Sequence, residues 1–170
     1  MDKKMATESQ LTHLMTELAD CLNSRRFKMA SAESCTGGWL AKAATDLAGS
    51  SEWFDRSVVT YSNQAKQDLL NVSESMLDTH GAVSEATVSE MVEALLQIPS
   101  VSIGVAISGI AGPGGGTKDK PVGTVYIGWK MQDQPTIKRR FLFTGDRREL
   151  RLQATIEAVS GLIQLLKSDQ

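Results

Sequence analysis

Apolar side chains recur along this chain at two periods, and the switching between them gives the order of its elements. Leu11, Leu14, Met15, Leu18 and Leu22 fall on one stripe of a helix from Thr7 to Arg25, opened by Thr7 and Gln10 as a capping box. Phe27 to Ala32 alternates large and small side chains and reads as a short strand. Helical spacing returns with Leu40, Ala43, Ala44 and Leu47 and stops at Gly49. Glu52-Trp53-Phe54 reads as a turn packing two aromatics, followed by a strand from Ser57 to Tyr61 with Val58 and Val59. Ser62 or Asn63 can cap the next helix, through Ala65, Leu69 and Leu70. A short helix from Ser73 to Thr79 closes at Gly81, and Ser84 caps a longer one whose Val88, Met91, Val92, Leu95 and Leu96 face the core until Pro99.

The second half has a different texture. Val101, Ile103, Val105 and Ile107 alternate with Ser102, Gly104, Ala106 and Ser108, which suits a central strand covered on both sides. Gly109 to Pro121 is too rich in glycine for any regular element. Val122 to Met131 and Thr136 to Thr144 form a hairpin around Asp133-Gln134-Pro135. Asp146 and Glu149 open a last helix with Leu150, Ala154, Ala158, Leu162 and Leu165 on its stripe. Strands alternating with helices, then a hairpin and a closing helix, predict a three-layer α/β domain with a mixed sheet, taken as one domain over residues 1–170.

Composition narrows the function classes. The charged fraction of 22% and formal net charge of -2 describe an ordinary soluble globular protein and give no support for nucleic-acid binding. Lys138-Arg139-Arg140 is short enough to be the solvated face of a strand. Two cysteines, Cys21 and Cys35, and no Cys/His cluster at ligand spacing argue against a disulfide framework and against structural zinc. With a polar N-terminus and no apolar run of membrane-spanning length, a cytoplasmic location without membrane partners is the expectation.

The candidate chemistry centres on Ala32-Glu33-Ser34-Cys35-Thr36-Gly37-Gly38, which joins a strand to a helix. Gly37 and Gly38 permit an unusual backbone, and the helix start leaves N–H groups that suit an anion or oxyanion. Taken alone, the segment reads more plainly as a helix cap with a glycine turn. A serine nucleophile needs a base, and His13 on a helix and His80 just before Gly81 do not build a Ser-His-Asp triad. Lys66 could serve if burial lowers its pKa from ~10.4, with Tyr61 relaying the proton from Ser34. Spacing alone fits a solvated helical Lys66 and a core-filling Tyr61 better. Three loops after strands, Glu33 to Gly38, Ser62 to Lys66 and Gly109 to Pro121, would share one crevice with Ser108. Gly112-Pro113-Gly114-Gly115-Gly116-Thr117-Lys118 fails the Walker pattern, since no glycine sits immediately before Lys118 and a hairpin rather than a helix is expected to follow. Its N–H groups could still hold a phosphate or a sugar. Arg147 could pair with such a phosphate or with a carboxylate, or be a surface charge at a helix start.

Six segments in one order carry a resemblance across nearly the whole chain. They are the Ser34 segment, Thr60-Tyr61-Ser62-Asn63 with Lys66, Gly81-Ala82-Val83-Ser84, Ser108-Gly109-Ile110-Ala111-Gly112-Pro113, Lys120-Pro121-Val122-Gly123-Thr124-Val125 and Gly145-Asp146-Arg147. Together they resemble the CinA C-terminal domain family, also called the PncC family. The resemblance implies an α/β/α sandwich, no metal or other cofactor, homo-oligomeric assembly and a role in pyridine nucleotide salvage. It further implies conversion of nicotinamide mononucleotide to nicotinate mononucleotide and ammonia, with Ser34 as nucleophile and Tyr61 and Lys66 as its activators. Cys35, Thr36, Gly37, Gly38, Asn63, Ser108, Gly109, Gly112, Pro113, Gly114, Thr124 and Arg147 become the expected substrate contacts. The chain resembles a stand-alone version of this domain, without the large N-terminal domain of full-length competence-damage-inducible proteins. The alternative is a paralogue without turnover, acting as a nucleotide-binding or competence-related regulatory module.

Overall fold

Polar residues place most of the helix starts. In the computed structural model of the protein, which describes residues 6–168, Thr7, Ser62, Ser73 and Ser84 each accept a hydrogen bond from the N–H three residues on. They open α1 (Glu8–Arg25), α3 (Asn63–Leu70), α4 (Glu74–His80) and α5 (Glu85–Leu95). Each hydroxyl satisfies a donor that a first helical turn leaves orphaned. Helix α2 (Trp39–Thr45) has no side-chain cap from its own Ncap residue, Gly38. Helix α6 (Arg147–Ser168) closes the described chain. The ends of the expected 1–170 domain, including the polar first five residues, lie outside the described residues.

Strand β1 (Met29–Glu33) pairs in parallel with both β2 (Phe54–Val59) and β3 (Ile103–Gly109). The sheet continues antiparallel from β3 into β4 (Thr124–Met131) and β5 (Ile137–Leu142), giving the order β2-β1-β3-β4-β5. This is the mixed sheet that the hydrophobic pattern predicts, with β3 in the middle. One core lies between the sheet and α1, α2 and α6, and a second lies under α3, α4 and α5, so the fold is a three-layer α/β/α sandwich. Among the described residues, no helix is long and apolar enough to cross a membrane.

Alternation within the central strands sets how close each helix layer comes. Met29, Ile103, Val105 and Ile107 belong to the first core, and Ala30, Ala32 and Ala106 to the second. The small side chains let α5 lie close: a Cβ added at Gly104 would stand 2.9 Å from the Leu96 side chain. The same alternation sends Glu33 toward α2 and Ser34 toward α3, so two adjacent residues work on opposite faces of the sheet.

The strands are shifted by one to three residues from their expected bounds, and two of these shifts bear on the site. Strand β2 begins at Phe54, which pairs with Met29, and ends at Val59, opposite Glu33. Tyr61 therefore lies beyond the strand and is 59% exposed, not a core-filling aromatic. Strand β1 runs to Glu33, because that residue still has a partner on both sides, Val59 and Ile107.

Candidate active site

The Ser34 corner is held from inside by a residue to which the sequence reading gives no role. Glu33 is fully buried, and its carboxylate accepts hydrogen bonds from the N–H groups of Gly38, Leu40 and Ala41 at 3.0, 3.2 and 2.9 Å. The hydroxyls of Thr36 and Ser57 add bonds at 2.7 and 3.2 Å. Glu33 thus caps α2 from the preceding strand, which is why Gly38 needs no capping side chain. The expectation that this helix start is open to an anion is corrected accordingly. Gly37 N–H is also engaged, donating to the Ser34 carbonyl at 3.1 Å. The Thr36 N–H, by contrast, has no acceptor among the described residues, and the Cys35 N–H meets only its own side-chain sulfur.

Lys66 meets Ser34 directly. Its Nζ lies 3.0 Å from Ser34 Oγ and donates to the Thr60 carbonyl at 2.7 Å. Thr60 is itself fixed by an N–H bond to the Glu33 carbonyl at 2.8 Å. Lys66 sits at the buried face of α3 with 1% of its surface exposed, and burial pushes its pKa below the ordinary lysine range. A neutral amine held against a hydroxyl can take that hydroxyl's proton. Burial also pushes the neighbouring Cys35 thiol up to about 12, so at neutral pH it stays protonated and is a poor nucleophile.

The expected relay through Tyr61 is not what the geometry provides. Its hydroxyl accepts a hydrogen bond from Arg147 at 2.7 Å, and Lys66 reaches Ser34 with nothing between them. The cause is the early end of β2: the chain leaves the sheet before Tyr61, so the ring points outward while Lys66, one helical turn on, points in. Arg147 also donates to the Gly112 carbonyl at 2.7 Å, so it ties the chain just after β2 to the Gly109 to Pro121 loop.

The remaining expected contacts divide. Asn63, Pro113 and Gly114 are exposed, and the Gly112-Pro113 peptide bond is cis. The hydroxyl of Ser108 donates to the Ala82 carbonyl at 2.7 Å, so, like the Thr36 hydroxyl on the Glu33 carboxylate, it is spent on an internal partner rather than facing outward. Gly109 lies against β4, where an added Cβ would stand 2.6 Å from Val125. Thr124 is fully buried, and its hydroxyl oxygen has no hydrogen-bond partner among the described residues. Among the described residues, no group of three His, Cys, Asp or Glu side chains could hold a metal ion. Besides Glu33, the sequence reading missed Arg151, which binds the Cys35 and Thr36 carbonyls. Its one signal was a position four residues after Arg147, on the same helical face.

The chain is similar to known proteins over nearly the whole of its length. A model described as the CinA C-terminal domain matches residues 11–166. The Escherichia coli K12 protein named nicotinamide-nucleotide amidohydrolase PncC is 48% identical over 158 residues, covering 93% of this chain and 96% of that relative. The Enterobacter agglomerans protein of the same name is 49% identical over 150 residues, covering 88% of this chain and 92% of the relative. Among solved structures, the competence damage-inducible protein A (ComA) of Klebsiella pneumoniae is similar with a TM-score of 0.90 at 38% identity, covering 94% of this chain and 99% of that one.

Proposed function

Because the chain belongs to the CinA C-terminal domain family, we propose that it is a nicotinamide-nucleotide amidohydrolase working through a Ser34–Lys66 dyad. The observation that carries the reading is the buried Lys66 Nζ 3.0 Å from Ser34 Oγ. The names of the relatives at 48% and 49% identity supply a nicotinamide nucleotide as the substrate class, and the family resemblance narrows it to nicotinamide mononucleotide.

In this mechanism Ser34 Oγ attacks the carboxamide carbon while its proton passes to Lys66 Nζ. The Cys35 and Thr36 N–H groups receive the negative charge that develops on the carbonyl oxygen. Collapse breaks the C–N bond, Lys66 returns the proton to the leaving nitrogen, and ammonia departs from a nicotinoyl ester of Ser34. Water then attacks the ester with Lys66 again as base, giving nicotinate mononucleotide and free serine. Arg147 receives the phosphate, since its present partners are a neutral carbonyl and a neutral phenol that an anion would outcompete.

The deciding assay is ammonia release from nicotinamide mononucleotide by purified wild type beside a Ser34→Ala control. Release no faster than the control, with nucleotide still bound, would leave only the non-catalytic binding module. Run across pH, the same assay tests the base. Lys66 acts when neutral, so kcat/KM should rise with pH through its lowered pKa and level off above it. Cys35, at about 12, should add no limb in that range. A rate that falls with rising pH would remove Lys66 as the base. Tyr61→Phe separates direct transfer from a relay: it should change kcat by less than ~10-fold, against the ~10²–10⁴-fold expected for an obligatory proton carrier.

A further inference from the structure

The carbonyl side of the nucleophile turn has its own anchor, which the dyad does not use. Arg151, in the second turn of α6, donates from Nε to the Cys35 carbonyl at 3.0 Å and from its terminal nitrogen to the Thr36 carbonyl at 2.8 Å. Its guanidinium lies 5.4 Å from the centre of the Trp39 ring, a contact that holds the group over the turn. Gly37, with φ +61, leaves room for it, since a Cβ there would stand 3.2 Å from the Arg151 terminal nitrogen.

A trans peptide unit is planar, with its C=O and N–H pointing in opposite directions. Binding the Cys35 carbonyl therefore aims the Thr36 N–H away from Arg151. The Ser34 carbonyl, held by the Gly37 N–H at 3.1 Å, aims the Cys35 N–H in the same manner. Within this turn the Thr36 N–H has no acceptor among the described residues, and the Cys35 N–H has only its own sulfur.

We propose that Arg151 is a positioning residue, a two-carbonyl clamp that presets the Thr36 N–H for the negative oxygen formed at the scissile carbon. The proposal rests on Ser34 being the nucleophile and adds how its oxyanion site is kept in register. A planar fork suits this role, whereas a lysine ammonium offers rotating donors from a single point.

The test compares wild type, Arg151→Ala and Arg151→Lys in steady-state turnover and in labelling of Ser34 by a fluorophosphonate. In labelling, the Oγ–P bond forms as the P–F bond breaks, fluoride leaves, and Lys66 takes the hydroxyl proton, with the phosphoryl oxygen drawing on the same N–H groups. In Arg151→Ala, kcat should fall by ~10²–10³-fold, the effect of losing one oxyanion donor. Labelling should slow in parallel, while KM stays within about threefold and the pH limb stays at its wild-type position. Arg151→Lys should recover less than about a tenth of the lost rate, and added guanidinium ion should partly restore the alanine variant. Should the alanine variant not fold, the lysine variant, which keeps a cation beside Trp39, carries the comparison. The clamp is overturned if kcat stays within about twofold of wild type, if the loss lies in KM alone, or if lysine restores full turnover. If wild type itself releases no ammonia above Ser34→Ala, the proposed reaction fails, and the labelling rates still decide the role of Arg151.

Discussion

Lys66→Met should lower turnover by ~10²–10⁴-fold, the range for loss of a general base, while nucleotide binding stays close to wild type. The lysine contacts Ser34 and the Thr60 carbonyl, and no phosphate or sugar is assigned to it, so the loss belongs in kcat. Equal kinetics in wild type and variant would remove lysine from the mechanism. Stability gives an independent reading of the same group. Burial lowers the Lys66 pKa in the folded state, whereas the unfolded chain restores the ordinary value near ~10.4. Between those two values the unfolded state binds more protons, so the wild type gains stability as pH rises, and the gain is complete above the unfolded value. Relative to Lys66→Met, the wild type should therefore improve with a slope approaching ~1.4 kcal/mol per pH unit inside that window. Urea melts of both proteins at several pH values measure it. A difference independent of pH would mean that the folded protein does not perturb the lysine.

Glu33→Gln should destabilise the fold by ~3–5 kcal/mol, the cost of breaking a buried charge network. One carboxylate oxygen accepts from Ala41 N–H and the Ser57 hydroxyl, and the other accepts from Thr36, Gly38 and Leu40. In either orientation the glutamine NH2 would point at a backbone N–H, and at least one buried donor would lose its acceptor. For a chain of this length the melting temperature should drop by roughly 10 °C. The folded fraction should also lose turnover, because the residue after Glu33 is the nucleophile. A thermal melt coincident with wild type would show that the network does not hold the corner.

Those two residues show how far a sequence reading reaches. Lys66 was a candidate because a serine nucleophile without a usable histidine needs another base, a chemical argument that needs no coordinates. Glu33 sat in the quoted motif with no role, because all of β1 is buried and strand alternation, the usual guide to which way a side chain points, gave no polar face to read. Tyr61 sits elsewhere than expected because of a boundary: a strand ending two residues earlier turns the phenol outward onto Arg147. Arg151 carried only its spacing from Arg147, which identifies a helical face but not what that face meets.

The sequence by itself determined the order of the elements, most of the caps, the mixed sheet and the Ser34 corner. All of these except the mixed sheet, which follows from the order of strands and helices along the chain, depend on neighbours within a few residues, through side-chain period, Ncap hydrogen bonding or glycine backbone freedom. The tertiary structure alone decided which groups face that corner: Lys66 from 32 residues away, and Arg151 from 116 residues beyond Cys35. Such pairings depend on how the helix layers settle on the two faces of the sheet, and that is fixed by packing of the whole core rather than by any local pattern.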